Sequence, residues 1–348
     1  MKAIAYTRYG GPDATTVLEL PEPRPAANQV LIKVAAVGLN PVDAMQRAGT
    51  LKMLHPYKFP KIAGNELSGV VTALGPGVSR FAVGDRVVSR VGKTALGALA
   101  QYLAIDEALV ARAPKSVALV NAAALPLAGL TAQQALGPKH LDLQSGERLL
   151  VTGGAGGVGL LAIQLAKLAG AHLTTTASPQ WRQVVEQAGA DRVINYRESK
   201  VSDYAGQFDK VLDLVGLETD LDVFTRVRAG GKVVSITGPL TPEGIPEEVS
   251  GLRRALVRPV AAAMSRKARK AAAAAGATYD FFFMEPDAGG LALLCGLVDA
   301  GKLKLGIDST YPLDDFASAF ERLESRRAKG KVIIVMPSSD GESPPVPR

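Results

Sequence analysis

The run Arg148–Thr152 opens onto Gly154-x-Gly156-x-x-Gly159, and Leu160–Leu168 continues with apolar residues on one helical face. Glycines at this spacing, between a strand and a helix, do their chemistry by lacking side chains. Gly154 permits a tight turn, Gly156 lets the backbone approach a pyrophosphate, and Gly159 lets the helix pack closely on the strand. The N–H groups at the helix start, with their partial positive charge, then face the phosphates. Gly157 and Val158 belong to the same expected binding loop. The chain has 36 glycines, so the context carries the motif rather than the letters. A glycine-rich structural turn is the alternative.

The choice between dinucleotides is read at the end of the next strand. A unit for NAD usually places Asp or Glu there to hold the ribose 2′-OH. Here His172–Ser178 contains no acid, and the next one is Glu186. Ser178 does not repel a 2′-phosphate, and Arg182 follows at helical reach with a guanidinium that forms forked pairs. Tyr196 adds a hydroxyl. NADPH is the expected cofactor, with a solvated surface charge as the plainer reading of Arg182.

These residues need a scaffold of two kinds. The first third is strand-rich, with candidates at Lys2–Tyr6, Val30–Val37, Leu67–Ala73, Asp85–Arg90 and Ala100–Ile105, separated by Gly and Pro turn signals. From about Asn121, helices alternate with short apolar strands at Arg148–Thr152, His172–Thr176, Arg192–Ile194, Lys210–Leu214, Lys232–Ile236 and Phe281–Met284. That alternation predicts an α/β class with a doubly wound parallel sheet. Residues 338–348, rich in Ser, Pro and Gly, read as a disordered tail.

Several segments resemble the medium-chain dehydrogenase/reductase superfamily, in its quinone oxidoreductase-like branch. They are Val37–Asp43, Gly64–Gly69, Gly84–Val87, Gly97–Tyr102, Ala124–Ala132, the phosphate loop and Gly330–Val332, in the family's order over nearly the whole chain. The resemblance implies a GroES-like β-domain (1–128), a Rossmann NADP-binding domain (129–284) and a C-terminal return to the first domain (285–337). It places Asn40 at the floor of the site, with an amide that can donate to a substrate carbonyl, and Thr131 at the nicotinamide; a loop residue before Pro41 that satisfies backbone groups is the plainer reading of Asn40. It puts Val215, Ile236, Thr237 and Gly238 on the cofactor at strand ends, with Phe283 and Lys331 beside it. Where many relatives carry a tyrosine, this chain has Leu51; Tyr57 from the same loop is the substitute candidate, with a packing role as its plainer reading.

Zinc alcohol dehydrogenases of the same superfamily take their metal from Cys and His at positions that fall here on Asn40, Asn65 and Leu127, a set without thiolate or imidazole. His55, His140 and His172 are scattered, and the one cysteine, Cys295, lies in an apolar helical stretch as a structural thiol. No zinc is expected. Hydride addition to an isolated ketone builds an alkoxide that needs a metal or a strong acid. Addition to a quinone, or to the β-carbon of an enone, builds a delocalised anion that hydrogen-bond donors can hold. The expectation is NADPH-dependent, metal-free reduction of quinones or of the C=C bond of α,β-unsaturated carbonyls. An enoyl-thioester reductase and a cofactor-binding partner or sensor with little turnover remain open.

The net charge of +7 is local. Seven basic residues and no acid lie between Ser250 and Tyr279, and the rest of the chain holds 33 of each sign. Such a segment, helical by composition over 252–275 and broken at Pro259, does not point to nucleic acid. It suggests a solvated surface, a membrane-surface or protein contact, or steering of anions. No apolar run reaches the roughly 18–20 residues of a membrane span, and Met1–Gly10 lacks a signal core. A cytoplasmic homodimer is expected.

Overall fold

The computed structural model describes residues 1–216 and 221–337. The tail expected at 338–348 lies outside them. The chain divides into two compact units, Met1–Leu130 with the described residues from Glu285 onward, and Thr131–Met284.

In the first unit the described strands form a seven-stranded sheet. Its order is Ile307–Pro312, Lys331–Val335, Gln29–Leu39, Glu66–Leu74, Arg86–Arg90 and Val110–Arg112, with Tyr102–Asp106 paired to Gln29–Leu39. A smaller sheet joins Thr15–Glu19, Lys2–Tyr6 and Lys61–Ile62. Apolar residues of both sheets, among them Ile4, Tyr6, Ile32, Leu67, Val87 and Ile334, make one core. The C-terminal segment belongs to this unit because Lys331–Val335 pairs antiparallel with Gln29–Leu39, setting Val332 opposite Leu39. That pairing, and the short strands Thr15–Glu19, Lys61–Ile62 and Val110–Arg112, were not legible in the sequence; the short edge pieces carry too few residues for a period to show.

The second unit is a parallel sheet in the order Arg192–Asn195, His172–Ala177, Arg148–Val151, Phe208–Asp213, Val227–Ser235, Thr278–Phe281. The order reverses at Arg148–Val151, the strand that feeds the glycine loop, and such a reversal opens a crevice at the carboxyl ends of the strands. Two expectations are corrected here. The last strand is Thr278–Phe281, not Phe281–Met284, because Tyr279 and Phe281 pair in register with Val233 and Ser235. The helix Gly251–Ala274 continues through Pro259 without a break. Proline removes one backbone bond there, but Val257 and Ala261 on either side are buried and hold both flanks.

Candidate active site

The strand Arg148–Val151 ends in the loop and the helix Gly157–Leu168 begins with Gly156 as its N-cap. The three glycines have different physical duties. A Cβ on Gly154 would lie 2.0 Å from Thr175 Oγ1, and one on Gly159 would lie 2.6 Å from Gly153 O and 2.7 Å from Gly154 Cα. Both contacts are impossible, so these two positions are fixed by the packing of loop, helix and neighbouring strand. The left-handed residue is Gly153, at φ 67°; the tight turn expected at Gly154 belongs one residue earlier. Gly156 is different. Its backbone is extended (φ −77°, ψ 170°) and a Cβ would meet only Gly153 O, at 3.4 Å. Among the described residues nothing forbids a side chain there. An open cradle at the start of a twelve-residue helix, with helix-start N–H groups at its rim, fits a dinucleotide pyrophosphate.

Asp213, which the sequence reading passed over, organises the strand ends around this loop. It is 1% exposed. Its Oδ1 accepts from Thr152 Oγ1 at 2.9 Å and from the backbone N–H groups of Val215 and Gly216. Its Oδ2 accepts from Ser235 Oγ at 2.6 Å, and Ser235 Oγ in turn accepts from Thr237 N and Gly238 N. One buried carboxylate thus ties together the ends of three strands and sets the backbone of Val215, Thr237 and Gly238, with Ile236 between. No local pattern marks it within the expected strand Lys210–Leu214.

At the next strand end, Ser178 is buried and its carbonyl accepts from Trp181 N. The Trp181 indole nitrogen is buried without a partner. Arg182 makes an exposed i,i+4 pair through Nε with Glu186 Oε1 at 2.8 Å. Such a pair is worth only about 0.3–0.5 kcal/mol, so a phosphate can draw the guanidinium away. Tyr196 is half exposed, Thr131 is buried, and Phe283 lies edge-on to Phe281.

In the first unit, the helix Pro41–Ala48 turns polar residues inward: Asp43, Gln46 and Arg47 are its buried positions. They join a polar cluster of Asn40, Asn65, Glu66, Arg90 and Lys331, all buried. Glu66 Oε1 accepts from Asn40 Nδ2 at 2.7 Å and from Lys331 Nζ at 2.6 Å, while its Oε2 accepts from Leu127 N. Lys331 Nζ also donates to Leu39 O and to Asn40 Oδ1. Asn65 Nδ2 donates to Asp43 Oδ1 and Gln46 Oε1, both at 2.7 Å. Gly38 makes room for this, since a Cβ there would lie 2.6 Å from Glu66 Oε1.

Two expectations change. Lys331 has three N–H donors and three protein acceptors, so the geometry makes it a member of this cluster rather than a cofactor ligand. The Asn40 amide cannot donate freely to a substrate: its N–H groups go to Gly38 O and Glu66, and the ammonium of Lys331 fixes the oxygen end. Glu66 and Lys331 are 265 residues apart, which is why no local pattern announced the pair. The same bonds bear on zinc. Asn65 is engaged by Asp43 and Gln46, and Leu127 offers only an aliphatic side chain, so the positions do not fit a metal. Among the described residues no three His, Cys, Asp or Glu side chains cluster as ligands.

Burial raises Asp43 to about 6, against hydrogen bonds from Asn65 and Asn40 that pull it down. Its unfolded value is about 3.9. The folded state therefore holds its proton more tightly, and stability from this group is complete below about pH 4 and is lost as pH rises through about 6. In Asp43→Asn that loss should vanish. Between pH 4 and 7 the variant should gain on the wild type by on the order of 2 kcal/mol in denaturant melts. A constant difference across that range would contradict the assignment.

Tyr57 donates a long hydrogen bond, 3.4 Å, from its hydroxyl to Lys93 O, and its backbone N–H is held by Tyr9 Oη. Burial, with the nearby Tyr9, pushes its hydroxyl up to about 12. It keeps its proton near neutrality and can donate a hydrogen bond, but it is a poor proton source. Cys295 is buried and its thiol is pushed up to about 12 by burial, as suits a structural thiol.

Comparison with known proteins gives the chain's family. Residues 26–115 match the alcohol dehydrogenase GroES-like domain and residues 188–334 match the zinc-binding dehydrogenase model. The NADPH-dependent alkenal/one oxidoreductase of Arabidopsis thaliana chloroplasts is 34% identical over 96% of this chain and 79% of its own length. The Coxiella burnetii quinone oxidoreductase structure superposes with a TM-score of 0.83 at 29% identity, covering 96% of this chain and 99% of that one. The Escherichia coli quinone oxidoreductase, solved with NADPH, gives 0.78 at 27% identity, covering 96% and 100%. The fold and loop define a medium-chain dehydrogenase/reductase, and the chain belongs to the quinone oxidoreductase-like branch of that superfamily. Among the described residues no helix is long and apolar enough to cross a membrane.

Proposed function

We propose that the chain is an NADPH-dependent, metal-free reductase of quinones and of the C=C bond of α,β-unsaturated carbonyls. The observation that carries this is the polar cluster at the positions where zinc dehydrogenases hold their metal: its amides are engaged by Asp43, Gln46, Glu66 and Lys331, and Leu127 carries no ligand. Such a site suits acceptors whose reduced anion is delocalised. The alkenal/one and quinone oxidoreductase relatives support the same substrate class.

Bound NADPH supplies the hydride. The protein's part is to hold it: Gly156 and the helix start at the pyrophosphate, Ser178, Arg182 and Tyr196 at the 2′-phosphate, and the strand ends Val215, Ile236, Thr237 and Gly238, with Thr131 and Phe283, toward the nicotinamide. The Tyr57 hydroxyl, whose bond to Lys93 is long, is the donor for the developing enolate, and the final proton comes from solvent. Asn40 serves as the anchored floor. A cytoplasmic homodimer is part of the same reading.

The test is NADPH oxidation against quinones, alkenals, enones, enoyl thioesters and simple ketones. Turnover should fall on the first three and survive a strong chelator. Arg182→Ala should raise the Kd for NADPH by ~10–100-fold, the loss of one charge-assisted pair, and barely change that for NADH. Turnover confined to ketones, or lost on chelation and restored by zinc, would refute the reading. Equal losses for both cofactors would make Arg182 structural.

A further inference from the structure

The helix Gly251–Ala274 buries one stripe. Val257, Ala261, Ser265, Ala268 and Ala272 face inward, and Ala268 and Ala272 pack among Phe208, Val233 and Tyr279. Their spacing of three and four accounts for a single face of the helix. On another face Leu252, Leu256, Val260 and Met264 recur every fourth residue, and they are 78%, 59%, 48% and 56% exposed. Residues four apart are surface neighbours, so the four form one apolar ridge about 18 Å long. Single exposed apolar residues are ordinary; a periodic row of large ones is not.

The charge on this helix is all of one sign. Arg254 is turned to the carbonyls of Ile245, Pro246 and Val249. The other six cations, Arg253, Arg258, Arg266, Lys267, Arg269 and Lys270, are exposed, and the helix contains no Asp or Glu. A second copy of the chain laid on the ridge would bring two such helices together with no acid on either, and like charges oppose that contact. An anionic bilayer meets both features. Its acyl boundary takes up Leu, Val and Met side chains, and its headgroup phosphates receive Arg and Lys.

We propose that Gly251–Ala274 docks the protein on anionic membrane surfaces. The helix lies in the plane of the interface, with Leu252, Leu256, Val260 and Met264 inserted and the exposed cations among the headgroups. This does not depend on the catalytic reading, because the test is binding.

The full-length chain is sedimented with vesicles of phosphatidylcholine alone and with about one third phosphatidylglycerol. Binding should need the anionic lipid and should weaken at least ~10-fold when salt is raised to about 0.5 M. Replacing Leu252, Leu256, Val260 and Met264 together by Gln should weaken it ~10-fold or more while the thermal midpoint holds, since all four side chains are exposed. Arg266→Glu with Lys267→Glu and Arg269→Glu should abolish it. Equal binding to neutral vesicles overturns the proposal, as does a ridge variant that binds as the wild type does. So does a ridge variant that turns a dimer into a monomer by light scattering without loss of vesicle binding, and so does capture by polyglutamate but not by anionic vesicles.

Discussion

Lys331→Met should destabilise the protein by about 3–5 kcal/mol, the loss expected when one partner of a buried ion pair is removed. The reason lies in what stays behind. Glu66 is wholly buried, and without the ammonium its donors among the described residues are Asn40 Nδ2 and the backbone N–H of Leu127. Leu39 O and Asn40 Oδ1 lose their donor in the same step. The carboxylate loses its hydrogen-bonded cation in a setting shielded from water, and the buried Arg90 guanidinium, which interacts with it without a hydrogen bond, only partly offsets the loss. The double variant Lys331→Met with Glu66→Gln should regain much of the loss, because a neutral amide is far cheaper to bury than a lone carboxylate. Equilibrium denaturation of the three proteins decides it. A single variant that loses under ~1 kcal/mol would show that the pair is relaxed or wet in solution.

Gly156→Val should abolish useful cofactor binding, weakening it by at least ~100-fold, while leaving the fold intact. The extended backbone at Gly156 accepts a branched residue, and among the described residues a Cβ there would meet Gly153 O alone, at 3.4 Å. The added methyl groups would then occupy the space the pyrophosphate must enter. Gly159→Val makes the contrast. There the side chain strikes Gly153 O and Gly154 Cα below 3.0 Å, so protein and binding should fail together. Calorimetric titration with NADPH and a thermal melt on each variant separate the cases. A Gly156→Val protein that binds normally would remove the loop from the site.

The loop was legible because its signal is local: a strand, three glycines at fixed spacing and a helix lie within some twenty residues. The parallel sheet followed for the same reason, since its strands are apolar runs set between helical stretches. What the sequence did not show is non-local. Glu66 meets Lys331 only because Lys331–Val335 pairs with Gln29–Leu39, bringing the far end of the chain beside Asn40. Asp213 falls inside the expected strand Lys210–Leu214 with nothing to mark it, and its duty to three strand ends emerges only from the sheet order. Asn40 could be read as a donor to substrate or as a loop amide satisfying its neighbours, and only its partners Gly38 O, Glu66 and Lys331 decide in favour of an engaged amide. Pro259 misled in the opposite direction, because burial on both sides outweighed a local helix breaker.

The central claim is that hydride is delivered to a conjugated carbon without a metal. The most direct measurement is the product of enone turnover with NADPH carrying deuterium at the transferable C4 position. NMR of the product should show a saturated ketone with deuterium on the former β-carbon, its carbonyl intact. Hydride there leaves an enolate that a donor such as the Tyr57 hydroxyl can hold. An allylic alcohol with deuterium on the carbinol carbon would contradict the account, since it would require an alkoxide stabiliser that Asn40, Asn65 and Leu127, as they are engaged here, do not provide.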